Sequence, residues 1–519
     1  MINNKISYFL TTVLFLFLFS SIVLATEQPE VKVKDTIYIG TSSKNRTTEA
    51  FLGIPFAQPP LGSLRWSSTK PWIFKKETYH AINFQPACMQ GPHLTNWYKD
   101  VISSFGGNSD LFLTPDTSED CLYLNIWRPA QTLDPLPVIV FIHGGSNKGG
   151  WSYEPNYIGQ NLSQKGVLVV TIAYRLGVFG FFSHPELKHS NYGLLDQIEA
   201  LKWVKNNIKN FGGDDSNITI MGESAGANNI EYLLTSSLSQ GIFTKAIHQS
   251  GGSSLNQRSS KYKNLERSAS LTRFLIGEVE TNQIEKLRQI TPEEILFATE
   301  SVYEGHYFEP VIDGYSVEES IIESLNKSTV STVDLLIGHN NDEWLMYLDN
   351  EIDINSWLFK EFNNNISNNL KTFLSNIPNK KRQLDLLITA KNYVCPSFTL
   401  ASELNKHTSN IWFYSFNRTR EGAKAKSMGA YHGAELPYVF NTHDDWLPTN
   451  TVDNVLTDTI QSYWTQFAKT GNPNGNGKHP WHPFTRTNPV TQILDVQVKS
   501  SVHSSNIICD EFIKKKSIN

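Results

Sequence analysis

Residues 222–226 read Gly-Glu-Ser-Ala-Gly, so Ser224 has one glycine two residues before it and another two residues after it. The apolar residues 218–221 precede this motif and are typical of a buried strand, and a helix can begin near Ala225. Such a sharp strand-to-helix turn exposes the serine hydroxyl, and the glycines let the strand and the helix approach each other. The positive end of the helix dipole then faces the anion formed during acyl transfer. We therefore predict that Ser224 is a nucleophile.

A second glycine-containing loop follows the apolar residues 138–142 and reads His-Gly-Gly-Ser from His143 to Ser146. A loop in this place can present backbone N–H groups to a substrate carbonyl oxygen. Those of Gly145 and Ser146, joined by the N–H of Ala225, would form an oxyanion hole that stabilises the developing negative charge. The open alternative is an ordinary turn, and we expect His143 to be a structural side chain.

The elements that must position these loops are short apolar runs without polar alternation, which are typical of parallel strands buried on both faces. The predicted strands are residues 138–142, 167–173, 218–221, 335–337 and 411–416. Helical segments separate them, and the clearest covers residues 194–208 and ends before the Phe-Gly-Gly at 211–213. Alternating strands and helices predict an α/β fold with a mostly parallel sheet, whose chemistry lies beyond the carboxyl ends of the strands.

The chain has 519 residues, of which 39% are apolar, and its sequence shows neither an internal repeat, a long linker nor a block of charge. We therefore predict one domain over residues 26–519, enlarged by insertions. The net charge of -5 and the pI near 6.3 give no concentrated basic surface, so we expect no nucleic-acid partner. The sequence does not predict the oligomeric state.

Lys5 is followed by an apolar run at residues 8–24, and Val23 and Ala25 provide the small residues that precede a cleavage site. This pattern predicts a signal peptide over residues 1–25 and a secreted or lumenal protein. The alternative is an uncleaved anchor, because the run approaches the roughly 20 residues that span a bilayer. No second run of this kind occurs in the sequence, so we expect no stable membrane span after cleavage.

The sequence contains four cysteines, which an oxidising compartment would join in one of three ways. Proximity in sequence favours Cys88 with Cys121, which leaves Cys395 with Cys509. Six Asn-X-Ser/Thr motifs are compatible with glycosylation on the same route, although any of them can be buried or unused. They lie at Asn45, Asn161, Asn217, Asn326, Asn365 and Asn417.

Several longer segments resemble the type-B carboxylesterase and cholinesterase family along the whole chain after residue 25. The most specific is Ser-Glu-Asp-Cys-Leu-Tyr-Leu-Asn at 118–125; others are Phe-Leu-Gly-Ile-Pro-Phe-Ala at 51–57, Tyr-Arg-Leu-Gly at 174–177 and Gln-Ser-Gly at 249–251. The resemblance implies an α/β-hydrolase fold, with a large, mostly parallel central sheet flanked by helices and with long insertions. It implies the same two disulfides that sequence proximity favours.

The resemblance also indicates which acid and base would activate Ser224, in the order nucleophile, acid, histidine. Glu343 follows the predicted strand 335–337 and matches the acid of the family, with Asp342 as the alternative. His432 matches the histidine of the family. The sequence by itself leaves five further downstream histidines open, which are His407, His443, His479, His482 and His503.

A serine esterase of this family would form an acyl-enzyme, because His432 takes the proton of Ser224 during attack and later activates water. This chemistry needs no cofactor, and the sequence has no His-Glu-x-x-His metal motif. Ser250 matches a serine near the triad acid in cholinesterases, although a buried hydroxyl bonded to backbone is an equal alternative. Two positions depart from the family pattern, since Ser146 and Trp344 each replace a glycine, and both changes can narrow the site.

The resemblance predicts a carboxylesterase for small-molecule esters that are uncharged and carry modest acyl chains. Cholinesterases bind quaternary ammonium on a tryptophan about ten residues before the cysteine of the 118–125 motif, where this chain has Phe112. One rival interpretation is a catalytically weak or inactive adhesion protein, because some members of the family keep the fold without catalysis. A second is a lipase, for which the sequence shows no amphipathic lid.

Overall fold

The computed structural model describes residues 28–131, 134–252, 264–278, 280–349, 353–363, 365–407, 410–475, 477–502 and 507–518. The predicted signal peptide, residues 1–25, lies outside the described residues.

An eleven-stranded sheet forms the centre of the fold. Its strands, in chain order, are β1 (Thr41–Ser42), β2 (Thr48–Pro55), β3 (Tyr123–Pro129), β4 (Leu136–Ile142), β5 (Leu168–Ile172), β6 (Gly213–Glu223), β7 (Lys245–Gln249), β8 (Asp334–Asn340), β9 (Ile411–Phe416), β10 (Val490–Leu494) and β11 (Lys499–Val502). The spatial order is β11-β10-β9-β8-β7-β6-β4-β5-β3-β2-β1. Every pair from β10 across to β5 is parallel, and the outer pairs at both ends are antiparallel. The predicted α/β fold with a large, mostly parallel sheet is confirmed.

Helices flank this sheet on both faces. In chain order they are α1 (His93–Phe105), α2 (Gln160–Ser163), α3 (Gly177–Phe181), α4 (Tyr192–Asn207), α5 (Ala225–Thr235), α6 (Leu265–Ile276), α7 (Gln283–Leu287), α8 (Pro292–Val302), α9 (Ile321–Lys327), α10 (Ile354–Phe362), α11 (Asn368–Ser375), α12 (Lys380–Thr389), α13 (Cys395–Leu404), α14 (Ala423–Met428), α15 (Leu436–Phe440), α16 (Thr451–Thr470) and α17 (Ile507–Ile518). Smaller sheets pair Glu30–Val33, Thr36–Ile39 and Thr78–His80, and separately Ala87–Cys88 with Thr117–Ser118.

The central strands are buried on both faces, which explains their unbroken apolar sequences. Val138 and Val140 of β4 pack into the core on one side of the sheet, whereas Ile139 and Phe141 pack into the core on the other. Each successive side chain points to the opposite face, so a strand covered on both sides needs apolar residues at every position. This is the pattern that predicted the five strands.

Two of the motifs that carry the family resemblance fix the framework through buried ion pairs. Glu119 accepts hydrogen bonds from the Arg65 guanidinium at 2.6 and 2.5 Å, and both side chains are buried. Arg175 donates to Asp196 in the same two-pronged manner at 2.8 Å. Paired hydrogen bonds of this kind hold two buried charges in one orientation, so these motifs act on the fold rather than on the chemistry.

Both disulfides join the cysteines that the sequence paired, with sulfur–sulfur contacts between Cys88 and Cys121 and between Cys395 and Cys509. The first closes a loop that contains α1, and the second connects α13 to α17.

Within the described ranges, none of the helices has both the length and the apolar character that a membrane crossing requires.

The turn between β6 and α5 brings backbone against backbone at two glycines. A Cβ on Gly222 would lie 2.6 Å from the carbonyl carbon of Gly226, and a Cβ on Gly226 would lie 2.1 Å from the carbonyl oxygen of Ile142. Ser224 between them has φ 56° and ψ -123°, a conformation that side-chain-bearing residues rarely adopt. Its N–H donates to the Gln249 carbonyl at 2.9 Å, which secures the turn to β7.

Substitution Gly226→Ala should destabilise the protein, because the new methyl group has no space against the backbone of Ile142. We expect the free energy of unfolding to fall by about 3 kcal/mol or more in a denaturant titration. Gly475→Ala is the matched control, since the nearest atom to its Cβ is the flexible side chain of Gln466 at 3.8 Å. Equal stability of the two variants would contradict the close approach at the turn.

Candidate active site

The carboxyl ends of β4 and β6 open onto a cavity of about 480 Å³. Ser224 follows β6, and His432 lies between α14 and α15; both line the cavity. Glu343 follows β8 and supports His432 from behind. Aromatic side chains form much of the remaining wall, namely Trp97, Tyr98, Tyr157, Tyr307, Phe308, Trp344, Tyr347 and Tyr393.

Ser224, His432 and Glu343 form one continuous chain of hydrogen bonds. His432 Nε2 lies 2.8 Å from Ser224 Oγ, and His432 Nδ1 lies 2.7 Å from Glu343 Oε2. The other carboxylate oxygen of Glu343 accepts from the backbone N–H of Asn340 at 2.7 Å, and the side chain is fully buried. The carboxylate is thus held by β8 and orients the imidazole toward the serine. The structure brings all three predicted residues together.

Asp342, the alternative acid, points away from His432. Its Oδ2 accepts from the backbone N–H of Ala430 at 2.7 Å, and its Oδ1 contacts the guanidinium of Arg382. Arg382 in turn donates to the buried carboxylate of Asp385 at 2.6 Å. Asp342 therefore anchors the segment that carries His432, whereas Glu343 contacts the imidazole itself.

Four of the other candidate histidines lie elsewhere in the structure. His407, His443, His479 and His482 do not line the cavity, and His503 lies outside the described residues. His143 is fully buried, stacks on Tyr174 with ring centroids 4.4 Å apart, and has a pKa lowered by burial to about 4. Its expected structural role agrees with these contacts.

The predicted oxyanion residues Gly145, Ser146 and Ala225 all line the cavity beside Ser224. Gly145 has φ 91° and Ser146 has φ 60°, so the loop turns through the left-handed region at two successive residues. Ala225 is the first residue of α5, and the first N–H groups of a helix have no partner inside it. All three residues therefore lie at the place expected of the oxyanion donors, beside Ser224.

Asn147 continues this left-handed run with φ 51° and is held by several buried contacts that the sequence did not reveal. Its Nδ2 donates to the Phe308 carbonyl at 2.9 Å, and its Oδ1 accepts from Asn229 of α5 at 2.9 Å and from the Tyr174 hydroxyl at 3.2 Å. Asparagine tolerates the left-handed region better than most residues, so its presence after Ser146 is the feature of the sequence that could have indicated this turn. These contacts hold the residue after Ser146 in its left-handed conformation.

Glu223, the residue before the nucleophile, is a second carboxylate at the imidazole that sequence analysis missed. Its Oε1 lies 3.3 Å from His432 Nε2, and burial raises the pKa of Glu223 to about 8. Burial by itself lowers the pKa of His432, but the negative charges of Glu223 and Glu343 outweigh burial and raise that pKa to about 9. Its position directly before Ser224, inside the Gly-x-Ser-x-Gly motif, is the feature of the sequence that could have identified it.

Three further predicted positions have different surroundings. Ser250 lines the cavity with φ 52°, and within the described residues its buried hydroxyl has no hydrogen-bond partner. Phe112 is covered by Tyr98, whose ring stacks on it at 4.8 Å, and it does not line the cavity. Trp344 does line the cavity, and its backbone N–H donates to Asp385 at 3.0 Å.

Among the described residues, no group of His, Cys, Asp and Glu side chains is arranged to hold a metal ion.

The family match and the solved relatives show a carboxylic ester hydrolase of the α/β-hydrolase fold. The chain belongs to the carboxylesterase family, whose model matches residues 27–507.

Individual relatives agree with this family. The chain is 32% identical to the para-nitrobenzyl esterase of Bacillus subtilis (strain 168), with 86% of this chain and 91% of the relative covered. It is 33% identical to the liver carboxylesterase of Sus scrofa, with coverage of 88% and 87%. It is also 31% identical to neuroligin-2 of Mus musculus, over 82% of this chain and 57% of that protein. A solved PNB esterase structure superposes with a TM-score of 0.80 at 29% identity and covers 94% of this chain and 99% of that one.

The charge at Glu223 predicts the pH dependence of ester hydrolysis. His432 accepts a proton only when neutral, so its raised pKa places the midpoint of the rise in kcat/KM with pH above the ordinary 6.5 of histidine. Glu223→Gln removes a negative charge near Nε2 and lowers the pKa of His432, so the midpoint should move to lower pH by about one unit.

Glu49→Gln serves as the control for this pH profile, because the Glu49 carboxylate pairs with Arg128 on β3, away from the cavity. Its profile should coincide with that of the unaltered protein. A midpoint in Glu223→Gln that stays at the value of the unaltered protein, or moves to higher pH, would show that the charge of Glu223 does not raise the pKa of His432.

Proposed function

We propose that the chain is a secreted serine carboxylesterase in which Ser224, His432 and Glu343 are the catalytic triad. The observation that carries the proposal is the hydrogen-bond chain from Ser224 Oγ through His432 to Glu343, at 2.8 and 2.7 Å. A serine hydroxyl becomes a strong nucleophile when a positioned base takes its proton during attack. The proposed reaction needs no cofactor.

In the proposed mechanism, Ser224 Oγ attacks the ester carbonyl carbon while His432 Nε2 accepts the hydroxyl proton. Glu343 stabilises the imidazolium that forms. His432 then donates the proton to the departing alcohol, which leaves an acyl-enzyme on Ser224. A water molecule that loses a proton to His432 attacks the acyl carbon. The bond from that carbon to Ser224 Oγ then breaks and releases the acid, while His432 returns the proton to Ser224 Oγ and restores the hydroxyl.

The N–H groups of Gly145, Ser146 and Ala225 are the proposed donors to the oxygen that becomes negative in each tetrahedral intermediate. Fixed donors of this kind stabilise the transition state more than the neutral ester, because the charge on the oxygen exists only there. The contacts of Asn147 support the left-handed loop that orients the first two donors.

The substrates we propose are uncharged esters with modest acyl groups. The carboxyl groups of Glu154 and Glu223 line the cavity, and its described lining residues include no lysine or arginine, which disfavours anionic esters. The position where cholinesterases bind quaternary ammonium is covered, because Tyr98 stacks on Phe112. Aromatic rings such as Trp344 and Tyr393 offer apolar contact to an uncharged acyl or alcohol group.

Two observations support passage through the secretory route. The structure contains two disulfides, which form and persist in oxidising compartments, and the sequence begins with the pattern of a signal peptide. We accordingly propose a secreted or lumenal location, with glycosylation at exposed Asn-X-Ser/Thr motifs.

The similarity to neuroligin-2 supports a second candidate function, a binding protein with weak or no catalysis. The departures at Ser146 and Trp344 lie where such a loss of activity would arise, beside the proposed oxyanion donors and the triad acid. The hydrogen-bonded geometry of Ser224 and His432 favours catalysis, so this candidate is second.

The proposed triad is tested by hydrolysis of p-nitrophenyl acetate and by labelling with a fluorophosphonate, followed by peptide mapping. We expect turnover and a label on Ser224, and Ser224→Ala should lower kcat by at least about a thousandfold and remove the label. Ser239→Ala removes another buried hydroxyl, one that donates to the Leu233 carbonyl, and should keep both activities. A folded protein with neither turnover nor label would support the binding-protein candidate instead.

The six glycosylation motifs should differ in use, because only some of their side chains are free to carry a glycan. Asn45, Asn326 and Asn365 are exposed, whereas Asn217 accepts from Lys245 and donates to the Lys469 carbonyl at 3.1 Å. Enzymatic deglycosylation in heavy-oxygen water and mass spectrometry of the secreted protein should find the label at the three exposed asparagines and none at Asn217. An occupied Asn217 would contradict these contacts.

A further inference from the structure

Trp97 and Tyr347 are joined by a hydrogen bond although 250 residues separate them in the chain. The indole Nε1 of Trp97 donates to the Tyr347 hydroxyl at 2.8 Å. Trp97 lies on α1, within the loop closed by the Cys88–Cys121 disulfide, and Tyr347 ends the short turn that follows Glu343. Both residues line the cavity. The bond therefore connects two walls of the cavity that come from unrelated parts of the chain.

The far edge of the Trp97 indole lies beside the residue that follows His432. A Cβ on Gly433, the residue after His432, would lie 3.9 Å from Trp97 Cη2 and 3.7 Å from Glu223 Oε1. The indole thus extends from the side of His432 to the Tyr347 hydroxyl. Its position relative to the imidazole is fixed at one end by packing and at the other by the hydrogen bond.

Each partner of the bond also has its own support. The ring of Tyr347 contacts Trp344 with centroids 5.0 Å apart, and the Trp344 backbone is held by Asp385. The ring of Trp97 contacts Tyr98 at 5.0 Å, and the Tyr98 hydroxyl donates to the buried carboxylate of Glu154. Each ring is thus also supported by contacts within its own wall, and the hydrogen bond joins the two walls to each other.

We propose that the Trp97–Tyr347 hydrogen bond is a size-selecting bar that makes short-chain, uncharged esters the preferred substrates. This inference rests on the proposed esterase function. In this proposal, an ester with short groups on both sides of the carbonyl binds beside Ser224 without reaching the bond. A long acyl or alcohol chain extends from Ser224 between the two walls and has to break the bond that joins them. Loss of one neutral hydrogen bond corresponds to roughly a fivefold lower kcat/KM for such an ester.

Trp97→Phe and Tyr347→Phe each delete one partner of the bond and keep an aromatic ring in place. The test measures kcat/KM for p-nitrophenyl esters from acetate to octanoate and for acetate esters from methyl to octyl. We expect the ratio of long-chain to short-chain kcat/KM to rise about fivefold in either variant, in at least one series. The double variant should match the single ones, because all three break the same bond.

Tyr79→Phe is the matched control, because it also deletes one hydroxyl, which donates to the Gly53 carbonyl at 2.8 Å away from the cavity. Its ratio should equal that of the unaltered protein. The proposal of a size-selecting bar is contradicted if the ratio of long-chain to short-chain kcat/KM is unchanged in both ester series. It is also contradicted if the effects of the two single variants add in the double variant. Failure of the unaltered protein to hydrolyse any ester or to accept the fluorophosphonate would overturn the proposed function and the bar together. Hydrolysis with unchanged ratios overturns the bar alone.

Discussion

The close approach of α5 to β6 at Gly222 and to β4 at Gly226 is the constraint on which the site depends. Contacts of 2.6 and 2.1 Å to a hypothetical Cβ leave no space for any side chain at either position. The chain therefore turns sharply enough to raise Ser224 above the sheet with φ 56°. His432 meets the serine hydroxyl at that turn, at 2.8 Å, and the loop at Gly145 lines the same cavity.

The buried carboxylates show how one site combines opposite electrostatic demands. Glu343 and Glu223 both approach His432, and their charges raise the pKa of the imidazole although burial lowers it. Glu435 adds a third buried carboxyl group, held by amide hydrogen bonds from Gln249 and Asn340. A positively charged imidazolium is thus stabilised within a largely apolar wall, where an isolated charge would be unfavourable.

Much of the framework could be predicted from sequence because its signals are local. The strand predicted at 411–416 has those bounds in β9, and the helix predicted at 194–208 is α4, from Tyr192 to Asn207. Strand β7 gave no comparable signal, because the buried polar residues Lys245 and His248 interrupt its apolar character. Their burial depends on partners from distant segments, such as Glu231 at 2.8 Å from His248, which no local pattern reports.

In the site too, local sequence motifs could be predicted, whereas contacts between distant segments could not. The Gly-Glu-Ser-Ala-Gly motif predicts its own turn, so Ser224 was identifiable from five residues. The choice of Glu343 over Asp342 depended on family resemblance, since the two carboxylates are adjacent and only the folded backbone turns one toward His432 and the other toward Arg382. Contacts between segments far apart in sequence, such as Asn147 with Asn229, became visible only in three dimensions.

The Cys88–Cys121 disulfide closes a loop that forms part of the cavity wall. It closes a loop of sequence separation 33 that carries α1, and the adjoining residues Ala87–Cys88 and Thr117–Ser118 pair side by side at its base. The loop is thus closed at its base without a strand of the central sheet. During evolution or laboratory selection, changes in this loop offer a way to alter the cavity wall that leaves the strand register of the central sheet and the turn at Ser224 in place.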